Sequence, residues 1–263
     1  MKTVVVVVRH GERQDYVDRD SGGNWIEQNV DQRPWDPPLT TNGLAQAKQL
    51  GSELPSILEK FELPGVKAVY SSPFLRCRQT AMGILASQKV SNGDTTTTND
   101  DSDKGEPKVK VELGLAESIN ENWYRSWAIP GTDGSWGYMK QELPYDKLDQ
   151  SKLHPASIEP VQGLLDWKVT QSDASLKLVH SAMDSEYTSK SNIESSYCMG
   201  HPHMFESQNM QRRRMADTLE LLSESHVNET FAIVSHGKNS KGHSLCINIF
   251  PIRENSYEVV APY

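Results

Sequence analysis

Val4-Val5-Val6-Val7-Val8-Arg9-His10-Gly11-Glu12-Arg13 is the stretch whose reading sets the fold. Five consecutive β-branched residues predict a short strand buried on both faces, as in a parallel sheet, and the run breaks off in a basic turn that carries an imidazole. Arg9, His10 and Arg13 thereby fall at the carboxyl end of a strand, the edge at which ligands bind in open α/β sheets. Arg9, His10 and Glu12 interrupt the apolar run and no small-residue cleavage site follows, so the stretch reads as a strand and not as a secretion signal.

Working outward, residues 14–38 form a polar, tryptophan-bearing segment rich in Asp, Asn, Gly and Pro, which predicts an irregular loop at the rim of a site. Thr40, Thr41 and Asn42 offer capping groups for a helix from about Asn42, in which Leu44, Ala47, Leu50, Leu54, Ile57, Leu58 and Phe61 recur at helical spacing. Pro55 predicts a kink or restart at Leu54. Val66 to Ser71 reads as a second strand, and Ser72-Pro73 leads into a helical pattern over Leu75 to Ser87. Residues 88–107, rich in Ser, Asn, Gly and Asp with four consecutive threonines, predict an exposed, disordered insertion.

A strand at Val109 to Glu112 is followed by Gly114-Leu115-Ala116-Glu117. Residues 122–160, with Trp123, Trp127, Trp136 and Tyr138 among Gly, Pro, Asp and Lys, predict a lid-like insertion. Helical stretches follow at Leu164 to Tyr187 and Gln208 to Leu222, then a buried strand at Phe231 to Val234 ending in Ser235-His236-Gly237, and a last strand at Tyr257 to Val260. The alternation of strands and helices predicts an α/β fold with a mostly parallel sheet.

The 263 residues suit one domain. A net charge of −8 argues against a nucleic-acid partner, and no apolar segment is long enough to cross a bilayer, so no membrane partner is expected. Cys77, Cys198 and Cys246 have no C-x-x-C spacing and read as reduced thiols in a cytoplasmic protein. His201-Pro202-His203 lacks a third ligand at metal-site spacing, and neither a metal nor a cofactor is expected.

Three predicted strand ends deliver unusual polar groups: Arg9-His10-Gly11-Glu12-Arg13, Ser71-Ser72-Pro73-Phe74-Leu75-Arg76-Cys77-Arg78-Gln79-Thr80-Ala81, and Ser235-His236-Gly237. Parallel strands put their carboxyl ends on one edge, so these groups can converge. Two histidines with several arginines make an anion site, because guanidinium groups fork onto phosphate oxygens. Together these segments resemble the histidine phosphatase superfamily, which has the phosphoglycerate mutase-like fold. The form R-H-G-E-R with S-S-P-x-L-R-C-x-Q-T-A is similar to the branch that holds the suppressor of T-cell receptor signalling phosphatases and the insect ecdysteroid-phosphate phosphatase.

The resemblance implies a three-layer α/β/α fold and a phosphomonoester hydrolase working through a phosphohistidine, without a metal. His10 would be the nucleophile, with Gly11 letting the backbone turn close to the phosphate. Arg9, Arg13 and Arg76 would clamp the phosphate, and His236 would hold it from the opposite side. Glu117 aligns with the family's general acid and base. Glu112 is its rival on sequence, and Glu117 is favoured because it lies beyond the strand, where the edge opens. The substrate would be a phosphorylated small molecule or a phosphoprotein, and the resemblance suggests a homodimer.

Two other readings stay open. One is a mutase, against which Arg13 argues where the family's mutases usually carry Ser; the other is a catalytically weak phosphate-binding interaction protein. Arg78 is expected as a solvated or salt-bridged helix residue, and Arg212-Arg213-Arg214 as an exposed helical face. Trp123, Trp127 and Trp136 could pack the lid or touch substrate.

Overall fold

The structure is a computed structural model and describes residues 3–29, 33–91, 107–118, 174–191, 206–237, 247–253, 256–257 and 261–262. In chain order these form β1 (Thr3–Arg9), α1 (Gln14–Asp20), α2 (Trp25–Gln28), α3 (Thr41–Lys60), β2 (Val66–Ser71), α4 (Leu75–Ser91), β3 (Lys110–Val111), a 3-10 turn (Leu113–Leu115), α5 (Ala174–Ser181), α6 (Gln208–Glu224), β4 (Thr230–Ser235), β5 (Ile247–Arg253), β6 (Ser256–Tyr257) and β7 (Ala261–Pro262).

The strand order is β3-β2-β4-β1-β5-β6, with β7 paired to β5. β1, β2, β3 and β4 run parallel, while β5 runs antiparallel to β1. In the β1–β4 register Arg9 lies opposite Ser235, and Ser71 of β2 lies opposite Val234. The residues that follow, His10, Ser72 and His236, therefore leave the sheet at one level.

The valine run is split by the two-residue period of a strand. Val4, Val6 and Val8 pack with Leu50, Leu54 and Leu58 of α3 and Ala81 and Ile84 of α4. Val5 and Val7 face the other way, toward Leu219 and Leu222 of α6. The outcome is helix, sheet, helix. Val4, Val5, Val6 and Val8 are at most 1% exposed, and burying each contributes about 2 kcal/mol, which anchors the strand that presents Arg9 and His10.

Two glycines decide how the β1 turn seats. A β-carbon at Gly11 would come within 2.7 Å of the Gly43 carbonyl oxygen, and one at Gly43 within 2.4 Å of the Glu12 carbonyl oxygen. The turn after His10 thus packs backbone to backbone on the first turn of α3. Thr40 caps that helix by accepting from Gly43 N and donates to Glu12 Oε1 at 2.6 Å.

Several expectations change. Residues 14–38 are not wholly irregular, because α1 and α2 form there: Gln14 donates to Asp18 at 2.7 Å, Asn24 caps α2, and Ile26 and Trp35 are buried in the core. α3 runs without interruption through Pro55, because burial of Leu50, Leu54 and Leu58 on one stripe outweighs the lost hydrogen bond. α4 extends through Ser91, past the expected start of the insertion at Gln88. Only Ala174–Ser181 is helical within the described part of the stretch expected as a helix to Tyr187. β5 was not expected, and its Pro251 pairs opposite Val4 in the antiparallel register. The strand expected at Tyr257 to Val260 is represented by Ser256–Tyr257. Residues 92–106, residues 122–160 with their tryptophans, His201 and His203 lie outside the described residues.

Candidate active site

β1, β2 and β4 end side by side, and the residues just beyond them form one cluster. The His10 and His236 rings are 5.5 Å apart between centroids, edge to face. Arg76, in the first turn of α4, is completely buried, donating from Nη2 to Glu117 Oε2 at 2.6 Å and to His236 Nδ1 at 3.2 Å. Glu117 Oε2 also lies 3.9 Å from His236 Nδ1. The structure thus brings together His10, Arg76, Glu117 and His236 from four distant parts of the chain.

Hydrogen bonding sets the form of each imidazole. His10 Nδ1 is 2.8 Å from the Gly11 carbonyl oxygen. A carbonyl only accepts, so Nδ1 carries the hydrogen and Nε2 keeps its lone pair. At His236 the sides reverse. Nδ1 faces the donor Arg76, which leaves Nε2–H to donate to Ser72 Oγ at 2.9 Å. Burial, reinforced by Arg76, holds both histidines well below their ordinary pKa, with Arg13 adding to the effect. Both rings are neutral at physiological pH.

The arginines differ in how they are held. Arg76 stacks over Phe74 at 4.3 Å and sits 3.7 Å from Asp36. Its Nε and Nη1 have no hydrogen-bond partner among the described residues. Arg13 is buried, and its fork is engaged by Asp15 at 2.9 and 2.6 Å, with Nη1 donating to Tyr16 at 3.1 Å. Burial works against its charge, but Asp15 and Tyr16 hold its pKa above the ordinary value. Its positive charge acts on both histidines from behind this pairing. The Arg9 stem passes Gly237, where a β-carbon would lie 3.5 Å from Arg9 Cδ. Cys77 is 3.5 Å from His236 Nε2, but burial pushes its thiol up to about 12, so it is no thiolate near neutrality.

The two candidate carboxylates separate by environment. Glu112 is fully buried and accepts from Tyr187, Ser189 and the backbone of Lys190, Ser191 and Gly114. Burial alone would raise its pKa, yet these donors hold the carboxyl below its usual range. Every acceptor position of Glu112 is spent on shaping the turn. Glu117, with its side chain 16% exposed, faces Arg76 and His236.

One minor expectation is narrowed and another overturned. Arg78, expected as solvated or salt-bridged, is 1% exposed, which removes the solvated alternative; α4 turns it into the core near Asp36, and burial lowers its pKa to about 10. Arg212-Arg213-Arg214 is not a uniformly exposed face either. Arg212 and Arg213 are exposed, but Arg214 is buried and pairs with Glu206 at 2.7 Å, because a helix places it on the same stripe as buried Thr218 and Leu222.

Several supporting residues carried no role in the sequence reading. Ser72 contacts His236, Thr80 accepts from Gly11 N at 3.1 Å, Gln79 accepts from Leu39 N at 2.8 Å, and Asp36 accepts from Leu75 N at 2.7 Å. Ser72, Gln79 and Thr80 lie inside the recognised motif, so their regular placement in it was an available signal. Asp36 had none beyond its neighbouring prolines.

Comparison with known proteins bears on these strand ends. No curated protein sequence matches the chain. Among solved structures, the ecdysone phosphate phosphatase from Bombix mori, in complex with tungstate, aligns with 99% of this chain and 93% of its own at 17% identity and a TM-score of 0.50. The alpha-ribazole phosphatase from Shigella flexneri aligns with 98% and 95% at 16% identity and a TM-score of 0.45. The phosphoglycerate mutase from Bacillus anthracis str. Sterne aligns with 98% and 92% at 15% identity and a TM-score of 0.46. At 17% identity, the ecdysone phosphate phosphatase speaks for the shared fold alone. Residues 5–100, the segment that carries Arg9, His10, Arg13 and Arg76, match the histidine phosphatase superfamily, branch 1, within a sheet whose later segments deliver Glu117 and His236.

Proposed function

We propose that the chain hydrolyses phosphomonoesters through a phosphohistidine at His10. The observation that carries this reading is the His10 ring: its Nδ1–H is committed to Gly11 O, and its burial beside Arg76 and Arg13 keeps Nε2 unprotonated. A neutral imidazole nucleophile facing a cationic wall suits attack on a phosphoryl group.

In the first step the Nε2 lone pair forms a bond to phosphorus as the ester P–O bond breaks. The departing oxygen takes the electron pair and a proton from Glu117. In the second step water attacks phosphorus, Glu117 takes up the water proton, and the P–N electron pair returns to Nε2. Arg9, Arg76 and His236 surround the peripheral oxygens, and Arg13 adds its charge from behind its pairing with Asp15. The Arg76 Nε and Nη1 hydrogens support this role, since a buried guanidinium with two nitrogens lacking hydrogen-bond partners within the described residues, and only a 3.7 Å ion pair to Asp36 on one of them, is suited to an oxyanion. The buried free thiol of Cys77 fits a cytoplasmic setting.

The test is the phosphoenzyme. Brief reaction with a labelled aryl phosphate should trap an acid-labile, base-stable phosphoryl group in the wild type, and His10→Ala should trap none and lose roughly 10⁴-fold or more in kcat. Undiminished hydrolysis by His10→Ala would sink the proposal. A panel of phosphotyrosine peptides, steroid phosphates and sugar phosphates compared by kcat/KM then identifies the substrate class.

A further inference from the structure

We propose that Arg214, locked by Glu206, is a positioning residue that sets the reach of Glu117 into the site; this rests on the acid role of Glu117 proposed above. Arg214 Nη1 donates to the Gly114 carbonyl at 2.6 Å and to the Ala116 carbonyl at 3.0 Å. The second of these belongs to the peptide that joins Ala116 to Glu117. Two other bonds complete the grip: Ser235 Oγ donates to the Leu115 carbonyl at 2.8 Å, and Gly114 N donates to Glu112 Oε1 at 3.2 Å. Each carbonyl from Gly114 to Ala116 thus has a side-chain donor, two of the three from one guanidinium.

That guanidinium is itself immobilised. Its Nε and Nη2 fork onto Glu206 at 2.7 and 2.8 Å, with the side chains of Arg214 and Glu206 only 2% and 0% exposed. A buried pair of this kind contributes little net stability, because desolvation offsets the attraction, so its value lies in fixing geometry. What it fixes is the turn ahead of Glu117. A carboxyl displaced by about 1 Å can lose about 100-fold in a proton transfer.

The experiment compares kcat/KM for a primary alkyl phosphate, whose leaving oxygen needs a proton, with that for 4-nitrophenyl phosphate, whose leaving group does not. Arg214→Gln should lower the alkyl value by about 100-fold and the aryl value by less than about threefold. In a Glu117→Gln background the same change should add less than about threefold, since both act through one carboxyl. Because Arg214→Gln leaves Glu206 buried and unpaired and can fail to fold, the double variant Arg214→Met with Glu206→Met is made alongside it. It removes both charges yet lacks the carbonyl donors, and should show the same alkyl-selective loss. Equal losses on the two substrates, or a full additive loss on top of Glu117→Gln, would overturn the inference. If Glu117→Gln itself leaves the alkyl rate unchanged, the acid assignment fails first; if it acts and the Arg214 variants do not, only the positioning role fails.

Discussion

His10 and Glu117 belong to one cluster at the strand ends and are held by different means. His10 follows β1 directly, and its ring is oriented by Gly11, the next residue in the chain. Glu117 follows a 3-10 turn whose carbonyls are gripped by Arg214, 98 residues from Ala116, and by Ser235, 120 residues from Leu115. The His10 ring is oriented by the next residue in the chain, with its turn seated on Gly43 and held by Thr80; ahead of Glu117, each carbonyl from Gly114 to Ala116 is held by a remote side chain. Protonation of the leaving group should therefore respond to changes at Arg214 more than attack by His10 does.

The largest expected effect sharpens that contrast at the two neighbouring carboxylates. Glu117→Gln should lower kcat/KM for an alkyl phosphate by about 10³ and leave resistance to urea near that of the wild type. Glu112→Gln should do the reverse, losing about 1–3 kcal/mol in urea unfolding because an amide cannot accept from all five of its donors, while the ratio of alkyl to aryl rates stays put. A leaving-group-selective loss in Glu112→Gln would exchange the two roles.

The next effect concerns the bridge between the halves. Arg76 touches Glu117 and His236 at once, and lysine offers its charge without the planar fork. Arg76→Lys should lower kcat/KM by about 10² on alkyl and aryl phosphates alike. A selective loss on the alkyl ester would mean that Arg76 serves mainly to orient Glu117.

The smallest effect is thermodynamic and belongs to the histidine half. His10 and His236 have folded pKa values below their unfolded ones. As pH falls below about 6.5, the unfolded chain binds protons that the folded protein refuses, so stability falls, and it goes on falling until the lowered folded values are reached. Each histidine contributes up to about 1.4 kcal/mol per pH unit to that slope. Urea midpoints measured between pH 6.5 and 5 should decline in the wild type and decline less steeply in His236→Asn. Parallel lines for the two proteins would contradict a neutral, buried His236.

Much of the nucleophile half was legible because its signals are local. Five β-branched residues followed by Arg9 and His10 specify a buried strand with a polar end, and the strand register carries that end to Ser235 and His236. The motif from Ser71 to Ala81 marks Arg76 by its position. The acid half was less open to reading. Glu112 and Glu117 lie five residues apart with similar surroundings in the sequence, and what separates them is the segment from Tyr187 to Ser191, which closes on Glu112 alone.

By itself, the sequence determined the central strand, the α/β alternation and the set of basic and imidazole groups at the strand ends, since each follows from short-range periodicity and from the common edge of parallel strands. Only the tertiary structure decided that α1 forms in a polar stretch, that Pro251 lies within a paired strand, and that Arg78 and Arg214 are core residues. Arg212, Arg213 and Arg214 are chemically identical along the chain; Arg214 alone meets a buried carboxylate, Glu206, and the open carbonyls of the Gly114 turn. Burial of a charge requires a partner already in place, and that partner arrives through long-range packing.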